Sequence, residues 1–400
     1  MNPIDQLRAA RPGHLGDTPV DPRTRAAELS RAMAAPRRAP AGRGIVRPRW
    51  GLGLGLAGAA AAATAIAVTI SATGGTAPDA ISAPSGPDRT VAGPASSSPT
   101  ASASRVELSG RSILLAAAHG ADRQPATTGA YWHTTSVNRI LSKAADGGYT
   151  VAERMRNEGW SPLATGGEQL FRTQSLGARP ASPDDEAAWR RAGSPDRIEV
   201  EVPGKGLRGG YTVSTGPGEV KDDRAPLVDG DKVFWLGRNV TMKDLRELPD
   251  DPRGLKAWLL RAYKGTGTEA DTPMSSDAWL FSVSAGLITD MPVTPQVRGA
   301  AFRMLADLKT VEVSRDVTDA EGRTGSAVAI EERVRGKADA KGPEGVLLNR
   351  LIFDEATGTA LARDSVVVRP GGLQAGFEPG TVWHSQTVLE AGWTDEKPAS

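Results

Sequence analysis

Residues 347–368 read LLNRLIFDEATGTALARDSVVV, and this stretch predicts a β-hairpin. Two runs rich in Leu, Ile, Phe and Val flank the turn-forming sequence DEATG at residues 354–358. Gly358 can supply the positive φ that such a tight turn requires. The clearest hairpin in the sequence therefore favours antiparallel strand pairing.

Shorter runs of strand-forming residues lie on both sides of this hairpin, most of them bounded by Gly, Pro, Asp or Asn. These predicted strands are residues 129–140, 148–155, 169–174, 197–202, 232–236, 310–315 and 327–334. Many short strands separated by tight turns are typical of an antiparallel sheet.

The middle of the chain shows helical spacing of apolar residues instead. The predicted helices are residues 106–120, 183–191, 251–263, 276–289 and 294–308. Two of them carry an apolar stripe, formed by Leu255, Trp258, Leu259 and Ala262 in one and by Trp279, Leu280, Val283 and Leu287 in the other. We therefore predict an α+β domain over residues 105–393, with helices on one side of a curved antiparallel sheet. Two subdomains are the alternative to one large domain.

An uncharged apolar segment, WGLGLGLAGAAAAATAIAVTISA, occupies residues 50–72. A helix of this length spans roughly 30 Å, the thickness of the hydrocarbon core of a bilayer. Its hydrophobicity comes mainly from Leu52, Leu54, Leu56, Ile66, Val68 and Ile70, and Trp50 has the position of an interfacial aromatic residue. We predict a transmembrane helix; a buried helix, a cleaved signal peptide and a twin-arginine signal are the alternatives.

The flanks of this segment indicate its orientation. Residues 1–49 contain ten Arg and four acidic residues, and Arg43, Arg47 and Arg49 stand at the boundary. Basic residues are enriched on the cytoplasmic side of membrane helices. We therefore expect a cytoplasmic N-terminus and an extracytoplasmic C-terminal part in the plasma membrane. Residues 73–104 are rich in Pro, Ser, Ala, Thr and Gly and predict a flexible linker. We predict that residues 394–400 form a disordered tail.

The N-terminal segment also predicts short helices at residues 4–10 and 21–35. Leu29 and Met33 form a narrow apolar stripe on the second helix, with several Arg around it. Such a face suits a protein partner or anionic lipid headgroups. A basic flank that only sets topology is the alternative.

Several classes of chemistry find no support in the sequence. The absence of Cys excludes disulfides and Cys-ligated metals, and the four His at positions 14, 119, 133 and 384 form no metal-binding motif. Nucleophile-elbow and phosphate-loop motifs are also missing. The net charge of +1 gives no reason to expect nucleic-acid binding. We therefore predict no catalytic, metal or cofactor site, and no enzymatic activity.

Aromatic residues are the remaining candidates for a binding surface. A protein poor in Phe and Tyr can use its Trp residues as core anchors or to line a groove for an apolar ligand. The candidates for groove or core are Tyr131, Trp132, Trp235, Trp258 and Trp279.

Three stretches carry a resemblance to a known group of proteins: GAYWHTT at 129–135, LRELPDDPRGLKAWLL at 245–260 and LIFDEATGTAL at 351–361. These stretches follow an Arg-rich N-terminal segment and one apolar span. In the order of these features, the chain resembles a largely uncharacterised family of actinobacterial single-pass membrane proteins. Members often have a second large aromatic residue where this chain has His133. The layout looks like that of a transmembrane anti-sigma factor, without the His and Cys zinc motif common in that group. The exterior part is similar to lipoprotein-carrier folds, in which a half-barrel-like sheet holds an acyl chain under helices.

These observations lead to two main hypotheses. In the first, the exterior domain binds a ligand or envelope partner and residues 1–49 transmit a signal, by holding a sigma factor. In the second, the chain is a membrane-tethered carrier of a lipid or cell-envelope component, or a structural module, without a signalling role. A membrane-anchored hydrolase would need a nucleophile, a base and an orienting group in one cleft, and the sequence offers no such set.

Overall fold

The computed structural model describes residues 100–145, 148–201, 211–235, 238–268, 273–334 and 343–397. The predicted cytoplasmic segment, the transmembrane helix at 50–72 and most of the linker lie outside them. In these ranges no helix combines the length and the apolar character needed to cross a membrane.

The described chain alternates strands and helices in the following order. The elements are α1 (Thr100–Asp122), β1 (Tyr131–Lys143), β2 (Thr150–Pro162), β3 (Glu168–Pro180), α2 (Pro183–Arg191), β4 (Arg197–Val200), β5 (Tyr211–Ser214), β6 (Val220–Pro226), β7 (Lys232–Trp235), β8 (Arg238–Thr241), α3 (Met242–Arg246), α4 (Pro252–Leu260), α5 (Ser276–Thr289), α6 (Pro295–Ala306), β9 (Glu312–Thr318), β10 (Thr324–Val334), β11 (Gly345–Phe353), β12 (Ala360–Arg369), a 3₁₀ turn (Gly372–Gln374) and β13 (Val382–Thr394).

A nine-stranded antiparallel sheet dominates the fold, with the strand order β6-β3-β2-β1-β13-β12-β11-β10-β9. The first and last strands of the domain, β1 and β13, pair at its centre. The predicted hairpin is present as β11 and β12. Two small hairpins, β4–β5 and β7–β8, stand apart from this sheet. The α+β class and the antiparallel sheet are therefore confirmed.

Some boundaries differ from those expected. Helix α1 begins at Thr100, inside the segment predicted as a linker, and β13 continues through Thr394. Strands β1, β2 and β3 have 13 residues each, longer than the sequence pattern indicated. Buried polar side chains interrupt the alternation of apolar and polar residues in these strands. Strands predicted from that alternation therefore end too early.

The helices begin where side chains can satisfy the free N–H groups of a first turn. Ser182, Asp251, Ser275 and Thr294 each accept a hydrogen bond from a backbone N–H three residues later, at the starts of α2, α4, α5 and α6. Proline follows the cap in three of these helices, where its missing N–H costs nothing.

Helix α5 lies at the centre of the main core, and ten of its 14 residues are buried. The core joins α1, α4, α5 and α6 to one face of the sheet, which we call the helix face. Sheet side chains Val328, Leu351 and Phe353 belong to this core, and the Phe353 ring meets Phe302 of α6 edge-on at 5.0 Å. Because apolar residues surround α5 on every side, its predicted single stripe describes only part of its packing.

The turn of the hairpin at 354–358 packs directly against α1. Gly358 has φ +67°, and a Cβ there would lie 2.3 Å from the carbonyl oxygen of Ala117. On the helix side, a Cβ at Gly120 would meet the carbonyl oxygen of Ala356 at 2.4 Å. Two glycines therefore allow backbone-to-backbone contact between the hairpin and α1.

This contact predicts a large effect for Gly358→Ala. We expect a loss of roughly 2–5 kcal/mol in the free energy of unfolding. The substitution forces alanine into the left-handed backbone region and also brings its Cβ into the backbone of α1. Gly322→Ala is the matched control: its φ is +83°, but nothing lies within 4 Å of a Cβ there. The control should lose about 1–2 kcal/mol in urea unfolding. Equal losses would show that the contact with α1 is not tight.

Candidate functional site

A small polar cleft lies on the helix face beside the C-terminal end of α5, above strands β3, β2, β1 and β13. Its volume is about 60 Å³. Its lining residues are Thr134, Thr135, Ser136, Asn157, Glu158, Gly159, Phe171, Thr173, Thr289, Asp290, Gln386, Val388 and Glu390. Seven of these residues carry a hydroxyl or an amide group, although apolar atoms contribute more of the cleft surface than polar atoms, so a ligand there would meet hydrogen-bonding groups as well as apolar surface.

Strand register explains why these residues meet. Asn157 pairs with Thr173, and Gly159 with Phe171, between β2 and β3. Ser136 of β1 pairs with Val388 of β13. Partners in an antiparallel pair project to the same face, and alternate residues along a strand share that face. The polar side chains of four strands are thereby collected beside α5.

Asp290 follows the last turn of α5 and is held from two directions. Its carbonyl oxygen accepts a hydrogen bond from the Trp132 indole Nε1 at 2.7 Å. Its carboxylate lies 3.5 Å from the Arg363 guanidinium. Burial raises the pKa of Asp290 to about 6, against the opposing effects of Arg363 and Thr289. The end of α5 is therefore fixed to both β1 and β12.

A row of polar residues lies on the helix face next to Asp290, and one of them, Gln386, lines the cleft. Asn138, Gln386 and Arg363 are register partners on β1, β13 and β12. Asn138 and Gln386 are only 6 % and 8 % exposed. Across the described part of the chain, neither amide oxygen has a hydrogen-bond partner. An unsatisfied buried acceptor costs about 1–3 kcal/mol, so these two oxygens favour a ligand that donates hydrogen bonds.

The neighbouring polar row is internally satisfied. Asn349 donates to Glu332 Oε2 at 2.7 Å, and Ser365 donates to Asn349 Oδ1 at 3.0 Å. His384 is the register partner of Ser365, and burial with the nearby Arg363 lowers its pKa to about 4. Burial raises the pKa of Glu332 to about 7. This row supports the floor of the cleft and has no obvious need of a ligand.

A hydroxyl, an imidazole and a carboxylate also meet nearby, through Thr135, His133 and Glu390. His133 Nε2 is 3.3 Å from Thr135 Oγ1, and His133 Nδ1 is 3.4 Å from Glu390 Oε1. The order matches that of hydrolytic triads, but both distances exceed the roughly 2.6–3.2 Å of an activated nucleophile. Thr135 is 4 % exposed, and the His133 ring stacks on Trp160 at 4.5 Å. This geometry supports a packing role for His133.

The structure distributes the five predicted aromatic candidates among separate contacts. Trp132, Trp235 and Trp279 are buried in the main core. Trp258 packs against that core and stacks on Trp235 at 6.1 Å, whereas Tyr131 is partly exposed beside Lys397. Trp132 reaches the cleft through its bond to Asp290. The predicted membrane-span and topology residues lie outside the described ranges.

Sequence reasoning did not identify Asp290, Asn138 or Gln386. They belong to no local motif, and only strand register and the end of α5 bring them together. Comparison with known proteins finds no matching family model, no similar curated protein and no similar solved structure.

The raised pKa of Glu332 predicts a measurable pH dependence. Its pKa rises from an ordinary 4.5 to about 7 on folding, so its contribution to stability is complete below pH 4.5 and is lost as pH rises through 7. Glu332→Gln removes this ionisation. We expect the free energy of unfolding of this variant, measured in urea, to exceed that of the wild type by on the order of 1–3 kcal/mol between pH 5 and pH 8.

Glu331→Gln is the control, because Glu331 is the exposed neighbour on the same strand. It should follow the wild-type pH profile. A Glu332→Gln variant that also follows the wild type would contradict the assignment.

Proposed function

We propose that this chain is a single-pass membrane protein whose extracytoplasmic α+β domain binds a small polar ligand in the cleft beside α5. The observation that carries the proposal is the buried, unpaired amide oxygen of Gln386, which lines that cleft. The equally unpaired amide oxygen of Asn138 lies next to it on the paired strand. Binding sites combine a concave surface with a few placed polar groups, and this cleft has both.

The lining groups define the chemistry of the ligand. The unpaired amide oxygen of Gln386 calls for a hydrogen-bond donor on the ligand, and the hydroxyls of Thr134, Ser136 and Thr173 can both donate and accept. Three carboxylates line the cleft. Asp290 is paired with Arg363 and Glu158 with Arg156, and Glu390 lies 3.4 Å from His133, so the cleft does not require a charged ligand. Phe171 adds a small apolar surface. We propose a neutral ligand with several hydroxyl groups, such as a sugar unit of the cell envelope.

The membrane topology and the signalling role rest on the sequence. The apolar segment 50–72 supplies the span, and Arg43, Arg47 and Arg49 place the N-terminus in the cytoplasm. The stripe of Leu29 and Met33 supplies a docking face for a partner. With the resemblance in layout, this supports an anti-sigma-like regulator that holds a sigma factor through residues 1–49.

Lipid carriage receives less support. A pocket for a drug-sized or larger apolar ligand has a volume of roughly 300–1,000 Å³. The space between the helices and the sheet is filled by α5, whose Trp279, Phe281 and Leu287 side chains are almost completely buried. A lipid could enter this space only after α5 moved away.

Ligand binding can be tested on the full-length protein in detergent micelles. We expect at least one sugar among glucose, mannose, arabinose, galactose and N-acetylglucosamine to raise the melting temperature. Gln386→Leu should abolish this effect, because it removes an acceptor at the floor of the cleft. Gln374→Leu, at a buried glutamine of the 3₁₀ turn, should retain it. No response to any sugar, or an unchanged response in Gln386→Leu, would contradict the proposed site.

The topology can be tested because the chain contains no cysteine. In intact cells, a membrane-impermeant maleimide should label Ser98→Cys, whereas Ser30→Cys should react only after lysis. The reverse pattern, or recovery of the protein in the soluble fraction, would contradict a cytoplasmic N-terminus and one span.

The signalling role has its own test. A pull-down with residues 1–49 should recover a sigma factor, and an Arg23/Leu29/Met33→Ala variant should not. Failure to recover one would leave the chain as a ligand-binding membrane protein without this partner.

A further inference from the structure

The sheet face opposite the helices carries a row of four charged residues and one serine across five strands. Asp364 of β12 pairs with Arg350 of β11 and with Ser385 of β13, and Ser385 pairs with Arg139 of β1. Continuing the β1–β2 register by two residues places Arg154 next to Arg139. Because register partners share a face, all five side chains lie on the same side of the sheet.

Arg139 is the exception in this row. Its residue is 8 % exposed, yet its guanidinium makes no hydrogen bond or ion pair with any described residue. The other two arginines are paired: Arg154 with Glu321 at 3.1 Å, and Arg350 with Asp364 at 2.7 Å. The nearest carboxylates therefore each hold another arginine, and the row carries one uncompensated positive charge.

The turn between β9 and β10 adds no free counter-ion. Asp319 pairs with Arg323 at 2.7 Å, and its other oxygen accepts hydrogen bonds from two backbone N–H groups of the same turn. Burial and the neighbouring Arg154 lower the pKa of Arg139 to about 9, while Asp364 and Glu321 oppose this change. At neutral pH the guanidinium is still charged, and its Nη1 atom makes no hydrogen bond within the described residues.

An unpaired buried charge is among the most expensive features a fold can contain. This free-energy cost is reduced when a ligand supplies an anion that pairs with the guanidinium. The attraction between the two charges is strong because the site is shielded from water. Arg139 Nη1 is fully buried and unpartnered, and Arg350 Nε in the same row also lacks an acceptor. Asp364 Oδ1 and Ser385 Oγ of the same row also have no hydrogen-bond partner among the described residues. The row thus offers two unused N–H donors to an anion, with one unused carboxylate oxygen close by.

We propose that this row is a binding site for a small carboxylate, with Arg139 as its main contact. One uncompensated charge matches a singly charged anion, and the planar guanidinium fork fits the two oxygens of a carboxylate. The site lies on the opposite face from the sugar-binding cleft and does not depend on it. No bond is made or broken in this binding.

The test uses full-length protein in detergent at pH 7 and constant ionic strength, titrated with sodium acetate, lactate, phosphate, sulfate or chloride. Acetate or lactate should raise the melting temperature in a saturable way, whereas chloride at the same concentration should not. Preference for phosphate or sulfate would overturn the assignment to carboxylates. The absence of any anion-specific response would overturn the site.

Variants locate the effect. Arg139→Leu should remove the response to acetate and should itself be at least as stable as the wild type without anion, since it removes an unpaired buried charge. Arg139→Lys keeps the charge but loses the fork, and should weaken binding about tenfold. Arg315→Gln, at an exposed arginine paired with Glu355, is the control and should bind as the wild type does. An unchanged response in both Arg139 variants would contradict the proposal.

Independence from the cleft is also testable. Gln386→Leu should keep the full response to acetate while losing the response to sugar. If Gln386→Leu loses both, the two faces are not separate sites.

Discussion

The enclosure of helix α5 is the interaction on which the rest of the structure depends. Its sequence, SDAWLFSVSAGLIT, is apolar on nearly every side, so it must be covered all round. The sheet covers one side, and α1, α4 and α6 belong to the same core. Burial of a large apolar side chain contributes about 1.5–3 kcal/mol, and α5 contributes several, including Trp279 and Phe281.

The candidate site follows from where α5 ends. At Asp290 the helix stops, and the indole of Trp132 holds the carbonyl of that residue. Beyond this point the helix face of the sheet changes from Val, Leu and Phe to Asn138, Gln386 and Arg363. A nine-stranded sheet is wider than one helix, so a polar surface remains beside the covered one. The cleft lies at this boundary.

The two faces of the central strands serve different chemistry because adjacent residues alternate in direction. Asn138 lies on the helix face beside Gln386 of the cleft, whereas Arg139 faces the charged row. Likewise Gln386 lies on the helix face and Ser385 on the other. One short segment of β1 and one of β13 therefore contribute to both candidate sites, and their register fixes both.

Much of the fold could be predicted because its signals are local. The hairpin at 347–368 shows two apolar runs and a turn, and the helix starts show capping residues. Strand β13 was not predicted, because His384, Ser385, Gln386 and Thr387 are consecutive, polar and all buried. Strand β6 was missed because it is an exposed edge strand with the charged sequence VKDDRAP. The sites required pairings between residues far apart in sequence, such as Trp132 with Asp290, for which a single sequence offers no signal.

The most direct test of this account is amide hydrogen exchange of the full-length protein, comparing α5 with the hairpin β11–β12. If α5 fills the helix face permanently, its amides should exchange as slowly as those of the hairpin, through global unfolding. Helix α2, which has no buried residue, provides a fast internal reference. Exchange of α5 at the rate of α2 would contradict the account, because α5 would then open as a lid and expose an apolar cavity.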